Sequence, residues 1–190
     1  MADIKTVAII GAGQMGSGIA HVFALAGYRV VLNDIAAAQL KTGLANIEKN
    51  LARQVALEKI NQSASDAALA LISTGTELAA LADADLVIEA ASEDENIKLE
   101  ILQAVSALVS DDTLLASNTS SISITKLAAQ TRHPENFIGM HFMNPVPVMQ
   151  LVELIRGMAT SDDSFETALA IVKKLGKTAA VSEDYPAFIV

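Results

Sequence analysis

The stretch Val7-Ala8-Ile9-Ile10-Gly11-Ala12-Gly13-Gln14-Met15-Gly16 runs four apolar residues directly into the pattern G-x-G-x-x-G. The apolar run, taken from Lys5 to Ile10, has the length and composition of a buried strand. Gln14 to Ala26 reads as the helix that follows, with Gly27 as its stop. Each glycine then has a physical task. Gly11 permits the tight turn, Gly13 lets the backbone approach a diphosphate, and Gly16 lets the helix pack close to the strand. Gly18 extends the small face. The helix start offers unpaired N–H groups and a partial positive charge to phosphate oxygens. Alone, the motif is weak. Its context adds an acid, Asp34, at the end of a second apolar run, Arg29 to Leu32. A carboxylate there accepts ribose hydroxyls and repels a 2′-phosphate. No Arg follows closely, which favours NAD over NADP. Gly11, Ala12, Gly13, Gln14, Met15, Gly16 and Asp34 are thus the candidate cofactor-binding residues. The plainer alternative is a turn that binds nothing, with Asp34 capping a helix that starts near Ala36.

Further along, strand-length apolar runs keep alternating with amphipathic stretches. Helices are expected over Ala36 to about Leu57, Asp66 to about Leu71, Asn96 to Val109 and Ser164 to Leu175. Strands are expected at Ile72 to Thr74, Leu86 to Glu89, Thr113 to Ala116, Phe137 to His141, Leu151 to Ile155 and Thr178 to Val181. Near-continuous apolar strands separated by helices predict an α/β fold, a Rossmann-type doubly wound, mostly parallel sheet covered on both faces.

Composition bounds the partners. A formal net charge of −9 argues against nucleic acid or an anionic membrane, which need a basic face. No Cys occurs, which excludes a disulfide, a thiol nucleophile and a zinc–thiolate site, and no metal is expected. The N-terminus does not read as a signal peptide, and no run of 18 apolar residues indicates a membrane span. A soluble cytoplasmic protein is the expectation.

The second half holds the candidates for chemistry. Glu89 and Glu93 flank Ala90-Ala91-Ser92 after an apolar strand, with Lys98 beyond. Ligands of open α/β sheets sit past the carboxyl ends of the strands, so Glu93 and Lys98 are placed to reach a nucleotide. On physics alone a solvated helix start explains them better. Ser117-Asn118-Thr119-Ser120-Ser121 follows another strand and suits either ligand binding or helix capping, with Ser123 and Thr125 favouring capping. His141 ends an apolar stretch and precedes a loop whose two prolines, Pro145 and Pro147, restrict it and leave backbone groups free. Glu153 interrupts the apolar run Val152 to Leu154. A buried carboxylate is costly unless paired. Bonded to His141 it would fix the imidazole tautomer and raise its basicity, as proton removal from an alcohol requires. The alternative is a core His and an edge Glu on opposite faces. His21 and His133 carry no assigned role.

Four motifs in order are similar to one known family. They are Gly11 to Ala20, Ala116 to Ser121, Gly139-Met140-His141-Phe142-Met143-Asn144-Pro145-Val146-Pro147-Val148-Met149, and Leu151 to Gly157. Together they resemble the L-3-hydroxyacyl-CoA dehydrogenases, especially bacterial 3-hydroxybutyryl-CoA dehydrogenases, in their N-terminal NAD-binding domain. The resemblance implies His141 as general base, Glu153 as its orienting partner, and Ser120 and Asn144 at the substrate's 3-oxygen or the nicotinamide. It implies Asp34 on the adenine-side ribose, with Glu93 and Lys98 further along the cofactor. It places acyl-CoA contacts on a helical arm after the second strand, where Lys49, Arg53 and Lys59 stand. Met143 departs from the family's frequent Phe, and Ala187 from its Gly.

The resemblance also implies domain limits. Residues 1–184 would form the dinucleotide-binding domain, and residues 185–190, an apolar segment, would begin a C-terminal all-helical domain that is missing here. In the family that domain supplies a homodimer interface and closes over the acyl group, so this chain is expected to bind NAD and to catalyse weakly or not at all. Three rivals stand beside this reading. An NADP-dependent β-hydroxyacid dehydrogenase wants a basic residue where Asn33-Asp34 stands. A non-catalytic NAD sensor needs no His–Glu pair. A serine hydrolase lacks its G-x-S-x-G elbow and leaves the glycine turn unexplained.

Overall fold

The computed structural model describes residues 4–184; the expected domain boundary beyond it, with Ala187, lies outside the described residues. Eight strands form one sheet in the order β3-β2-β1-β4-β5-β6-β7-β8. They are β1 (Thr6–Ile10), β2 (Arg29–Asn33), β3 (Ile72–Gly75), β4 (Leu86–Glu89), β5 (Leu114–Ser117), β6 (Phe137–Phe142), β7 (Leu151–Arg156) and β8 (Thr178–Glu183). Six α-helices accompany them: α1 (Gln14–Leu25), α2 (Ala37–Ala56), α3 (Gln62–Ala70), α4 (Glu95–Ser106), α5 (Ile124–Ala128) and α6 (Asp162–Lys174). The expected mostly parallel, doubly wound sheet is present, as is the helical arm, α2 and α3, after the second strand.

The apolar strands are buried on both faces, and β1 shows how. Val7 and Ile9 join the core under α1, α2 and α6. Ala8 and Ile10 join a second core under α4 and α5. The period of two in a strand sends alternate residues to opposite layers, which is why the run has no polar face.

All pairings are parallel except one: β6 and β7 run antiparallel. The segment between them, residues 143–150, is too short for a helical crossover, which needs a dozen residues or more. Ser161 caps α6 and Asp94 caps α4 through side-chain acceptors, which moves both starts upstream of the sequence expectation. The helix expected from Asp66 likewise begins at Gln62, with Asn61 as its cap. The short helix α5 was not expected.

Candidate active site

The glycine turn joins β1 to α1 at the carboxyl edge of the sheet, and its geometry explains each residue. Gly11 sits at φ +99°, and a Cβ there would lie 2.6 Å from the Ala90 carbonyl oxygen. At Gly16 a Cβ would lie 1.7 Å from the Gly11 carbonyl oxygen, so only glycine fits. Gly13 is the reverse case, with nothing within 4 Å of where a Cβ would be. It caps α1 without any side-chain hydrogen bond, which leaves the first N–H groups of a twelve-residue helix open to an anion. These features fit a dinucleotide diphosphate.

Asp34 stands at the end of β2, beside that turn. Its Oδ2 accepts from the Ala12 N–H at 2.8 Å and its Oδ1 from the Ala36 N–H at 2.9 Å. The carboxylate therefore braces both the turn and the start of α2, which is the capping role weighed above. Each oxygen keeps a second lone pair for a further donor. Ile35, next in sequence and almost fully exposed, forms an apolar flank that sequence reasoning did not single out.

A cleft of about 340 Å³ lies beyond β4, β5 and β6. It is lined by Met15, Glu93, Lys98, Asn118, Ser120 and His141, with Ala90, Ala91 and the Phe142–Asn144 segment completing it. The structure thus brings together most of the residues singled out in the second half. Asn144 also accepts from Gln14 Nε2 at 3.1 Å, bridging the cleft to the glycine turn.

Lys98 is not the solvated helix-start residue that physics alone favoured. It is 1% exposed and faces Glu89, which is 0% exposed. Lys98 Nζ donates to both Glu89 oxygens, at 2.8 and 2.9 Å, and lies 3.3 Å from Glu93. Glu89 also accepts from the Ala91 N–H at 2.7 Å and the Ser117 hydroxyl at 2.6 Å. Burying this pair is tolerable because its polar atoms are so fully bonded. Glu93 accepts from the Ser120 N–H at 3.0 Å, the Ser121 hydroxyl at 3.1 Å and the Thr119 hydroxyl. Burial acts to raise its carboxyl, but the Thr119 hydroxyl, the Lys98 charge and the Ser120 and Ser121 donors outweigh that and hold it below the ordinary glutamate value.

His141 and Glu153 are directly opposed across the antiparallel β6–β7 pair. His141 Nδ1 lies 2.6 Å from Glu153 Oε2, so the opposite-face arrangement is excluded. Glu153 is 6% exposed, whereas the His141 side chain keeps 19% of its surface open, on the cleft. With the carboxylate at Nδ1, the tautomer carries its proton there and leaves Nε2 as an acceptor. The loop after His141 does not leave its backbone groups free, as its prolines had implied. Pro145 O accepts from the Val148 and Met149 N–H groups, and Lys177 Nζ donates to Val146 O and Met149 O, each at 2.7 Å.

A second, larger hollow of about 790 Å³ runs between the glycine turn, α2 and the proline loop. Arg53 and Lys59 line it; Lys49, exposed on α2, is not among its walls. By the helical period Lys49 falls about 20° outside the arc that Thr42, Arg53, Asn46 and Asn50 cover, at the edge of the hollow. His21 is buried in α1, where burial lowers its imidazole below the ordinary value. His133 is a half-buried residue beside Asp111 and Glu135. The expected capping by Ser123 is present, with its hydroxyl accepting from the Lys126 N–H at 3.2 Å. Asp184, at the end of β8, reinforces it by accepting from Ser123, Ile124 and Thr125. Among the described residues no group of three or more His, Asp or Glu could hold a metal ion, and no helix is long and apolar enough to cross a membrane.

Residues 6–185 match the family described as 3-hydroxyacyl-CoA dehydrogenase, NAD binding domain. This chain belongs to that family. It is 58% identical to a 3-hydroxybutyryl-CoA dehydrogenase of Bradyrhizobium diazoefficiens, covering 100% of this chain and 64% of that protein. It is 43% identical to a probable 3-hydroxybutyryl-CoA dehydrogenase of Bacillus subtilis, covering 98% of this chain and 65% of that protein. The chain therefore spans less than two thirds of these relatives. Among solved structures, an (S)-3-hydroxybutyryl-CoA dehydrogenase from Ralstonia eutropha superimposes with a TM-score of 0.97 at 46% identity, covering 99% of this chain and 66% of that one. The NAD-binding domain and the doubly wound sheet read from the glycine turn are borne out.

Proposed function

We propose that this domain holds NAD along the glycine turn and the cleft beyond β4–β6, and serves the interconversion of L-3-hydroxyacyl-CoA and 3-oxoacyl-CoA. The four-carbon 3-hydroxybutyryl-CoA is the substrate favoured by the names of the relatives. The observation that carries the reading is the His141–Glu153 contact at 2.6 Å on the wall of the cleft that Glu93 and Lys98 also line.

The roles follow from position. The open N–H groups at the start of α1 and the bare Gly13 receive the diphosphate. Asp34 accepts from the adenine-side ribose, and the Glu93–Lys98 pair meets the cofactor where it enters the cleft. Bound there, the nicotinamide supplies the hydride acceptor for oxidation and the hydride donor for reduction. His141 Nε2 takes the proton of the substrate hydroxyl in oxidation and returns it in reduction, while Glu153 stabilises the imidazolium between. Ser120 and Asn144 hold the substrate oxygen or the nicotinamide. Arg53 and Lys59 offer cationic contacts to the CoA phosphates in the larger hollow; Lys49 lies less well for this. The full-length protein acts in the cytoplasm as a homodimer. This chain alone binds NAD and turns over weakly, because hydride transfer needs an oriented, water-poor site.

The rival NADP reading is disfavoured by Asp34, and the sensor reading by a His–Glu pair that such a protein would not need. The test is direct. Full-length protein is assayed on acetoacetyl-CoA with NADH and with NADPH, and His141→Ala is compared with the parent. NADH is expected to be preferred, and the variant to bind NADH normally while losing about 10³-fold or more in kcat. A preference for NADPH, or near-parent turnover by the variant, overturns the reading.

A further inference from the structure

Asn118 lines the same cleft as His141, yet none of the roles above uses it. Its side-chain amide has two unlike ends. Oδ1 accepts from the Phe142 N–H at 2.8 Å. A peptide N–H can only donate, so the amide oxygen must face Phe142 and the NH2 must face away. The Asn118 backbone is fixed as well, its own N–H donating to the Glu89 carbonyl at 2.8 Å. Nδ2 donates to no group among the described residues. Nor is it sealed off, since the buried unpaired side-chain atoms among those residues belong to His21 and Gln54. The structure thus holds a half-buried donor, locked at one end, on the wall of the cleft. Its anchor, Phe142, is peptide-bonded to His141.

We propose that Asn118 Nδ2 is a catalytic donor to the substrate's C3 oxygen, working alongside His141. The inference rests on the dehydrogenase reading above. In reduction, hydride from the reduced dinucleotide adds to C3, and the carbonyl π pair moves onto oxygen. His141 gives its Nε2 proton to that oxygen. Asn118 gives only a hydrogen bond and keeps both its protons. A donor fixed in place before charge develops needs no reorganisation when it does, which is where such donors gain their effect. The other amide and hydroxyl of the cleft are less suited. Ser120 is exposed with a free rotor, and Asn144 is exposed and tied to Gln14 on the glycine-turn side.

The test separates the two ends of the amide in the full-length protein. Asn118→Asp keeps an acceptor for the Phe142 N–H and removes the donor; Asn118→Ala removes both without adding charge. Asn118→Asp is expected to keep NADH affinity within about threefold while kcat on acetoacetyl-CoA falls about 10²-fold. The 13C resonance of the C3 carbonyl of acetoacetyl-CoA, bound together with NAD, reads polarisation without turnover. It is expected to move upfield in both variants, because one donor fewer draws on the oxygen. Parent-like turnover by Asn118→Asp, an unmoved resonance in either variant, or a loss of NADH affinity that matches the loss of rate overturns the proposal. If the parent binds NADH but neither binds nor reduces acetoacetyl-CoA, the dehydrogenase reading itself has failed.

Discussion

The glycine turn and the His141–Glu153 pair lie on the same edge of one sheet and are built in opposite ways. The turn works through main-chain atoms: its residues matter for the side chains they lack, and all of it lies within ten consecutive positions. The pair works through side chains on two strands, brought together by an antiparallel register. A site made from backbone is damaged by adding atoms. A site made from side chains is damaged by exchanging them, with the fold left standing.

The sharpest break in that contrast is Gly16→Ala. Its Cβ would overlap the Gly11 carbonyl at 1.7 Å, a backbone atom with nowhere to go. Loss of cooperative unfolding, or a destabilisation of about 3 kcal/mol or more with NADH binding abolished, is expected in urea titrations. Glu89→Ala comes next. It strips the buried Lys98 ammonium of its two shortest hydrogen bonds and leaves only Glu93, 3.3 Å away, as counter-charge, so about 3 kcal/mol of stability should be lost. Glu89→Gln should cost less, because its one oxygen can still accept from the Ala91 N–H and Lys98 Nζ while its NH2 faces the Ser117 hydroxyl, which can turn to accept; calorimetric melts of the two variants give the comparison.

Glu153→Gln tests the side-chain half alone. Stability should change little, NADH affinity should hold, and kcat should fall about 10²-fold, near the low end for loss of assisted proton transfer. Equal losses in affinity and rate would show that Glu153 serves the fold rather than the base.

The smallest effect is in pH dependence, and His21 carries it. Its imidazole is lowered by burial, so below about pH 6.5 the unfolded chain binds a proton that the folded chain refuses. Stability should therefore fall as the pH drops through that value towards the folded pKa. His21→Gln should flatten this limb of a urea-midpoint profile. Glu93, whose carboxyl is depressed, has its own limb at lower pH, where its contribution is lost as the carboxylate protonates.

The turn was legible because its signal is local: strand, glycines, helix and terminal acid arrive in order along the chain. The His–Glu contact was half legible. An acid inside an apolar run announced a need for a partner, but the sequence alone did not show which face it shared. A clue was present in the short, proline-containing segment 143–150, which cannot hold a crossover helix and so forces antiparallel pairing. The solvated-helix-start alternative for Lys98 failed because its partner Glu89 lies across a turn, on a strand end whose side chain could have faced either way. Asn118 stood out in the sequence only as one member of the 117–121 cluster, since its own meaning comes from a peptide N–H twenty-four positions away. The helix α5 was missed because five residues are too few to show a helical period.

Val152 and Leu154, the neighbours of Glu153 on β7, are both wholly buried in the core beneath α6. Sliding β7 by one position would turn those two side chains to the opposite face of the sheet, where Glu153 now meets His141, and point the acid into hydrocarbon. Packing and reactivity thus share a single alignment. Insertions or deletions in segment 143–150 should be absorbed within the loop with the pair intact, or should cost the fold and the pair together, with no well-packed but misaligned form in between.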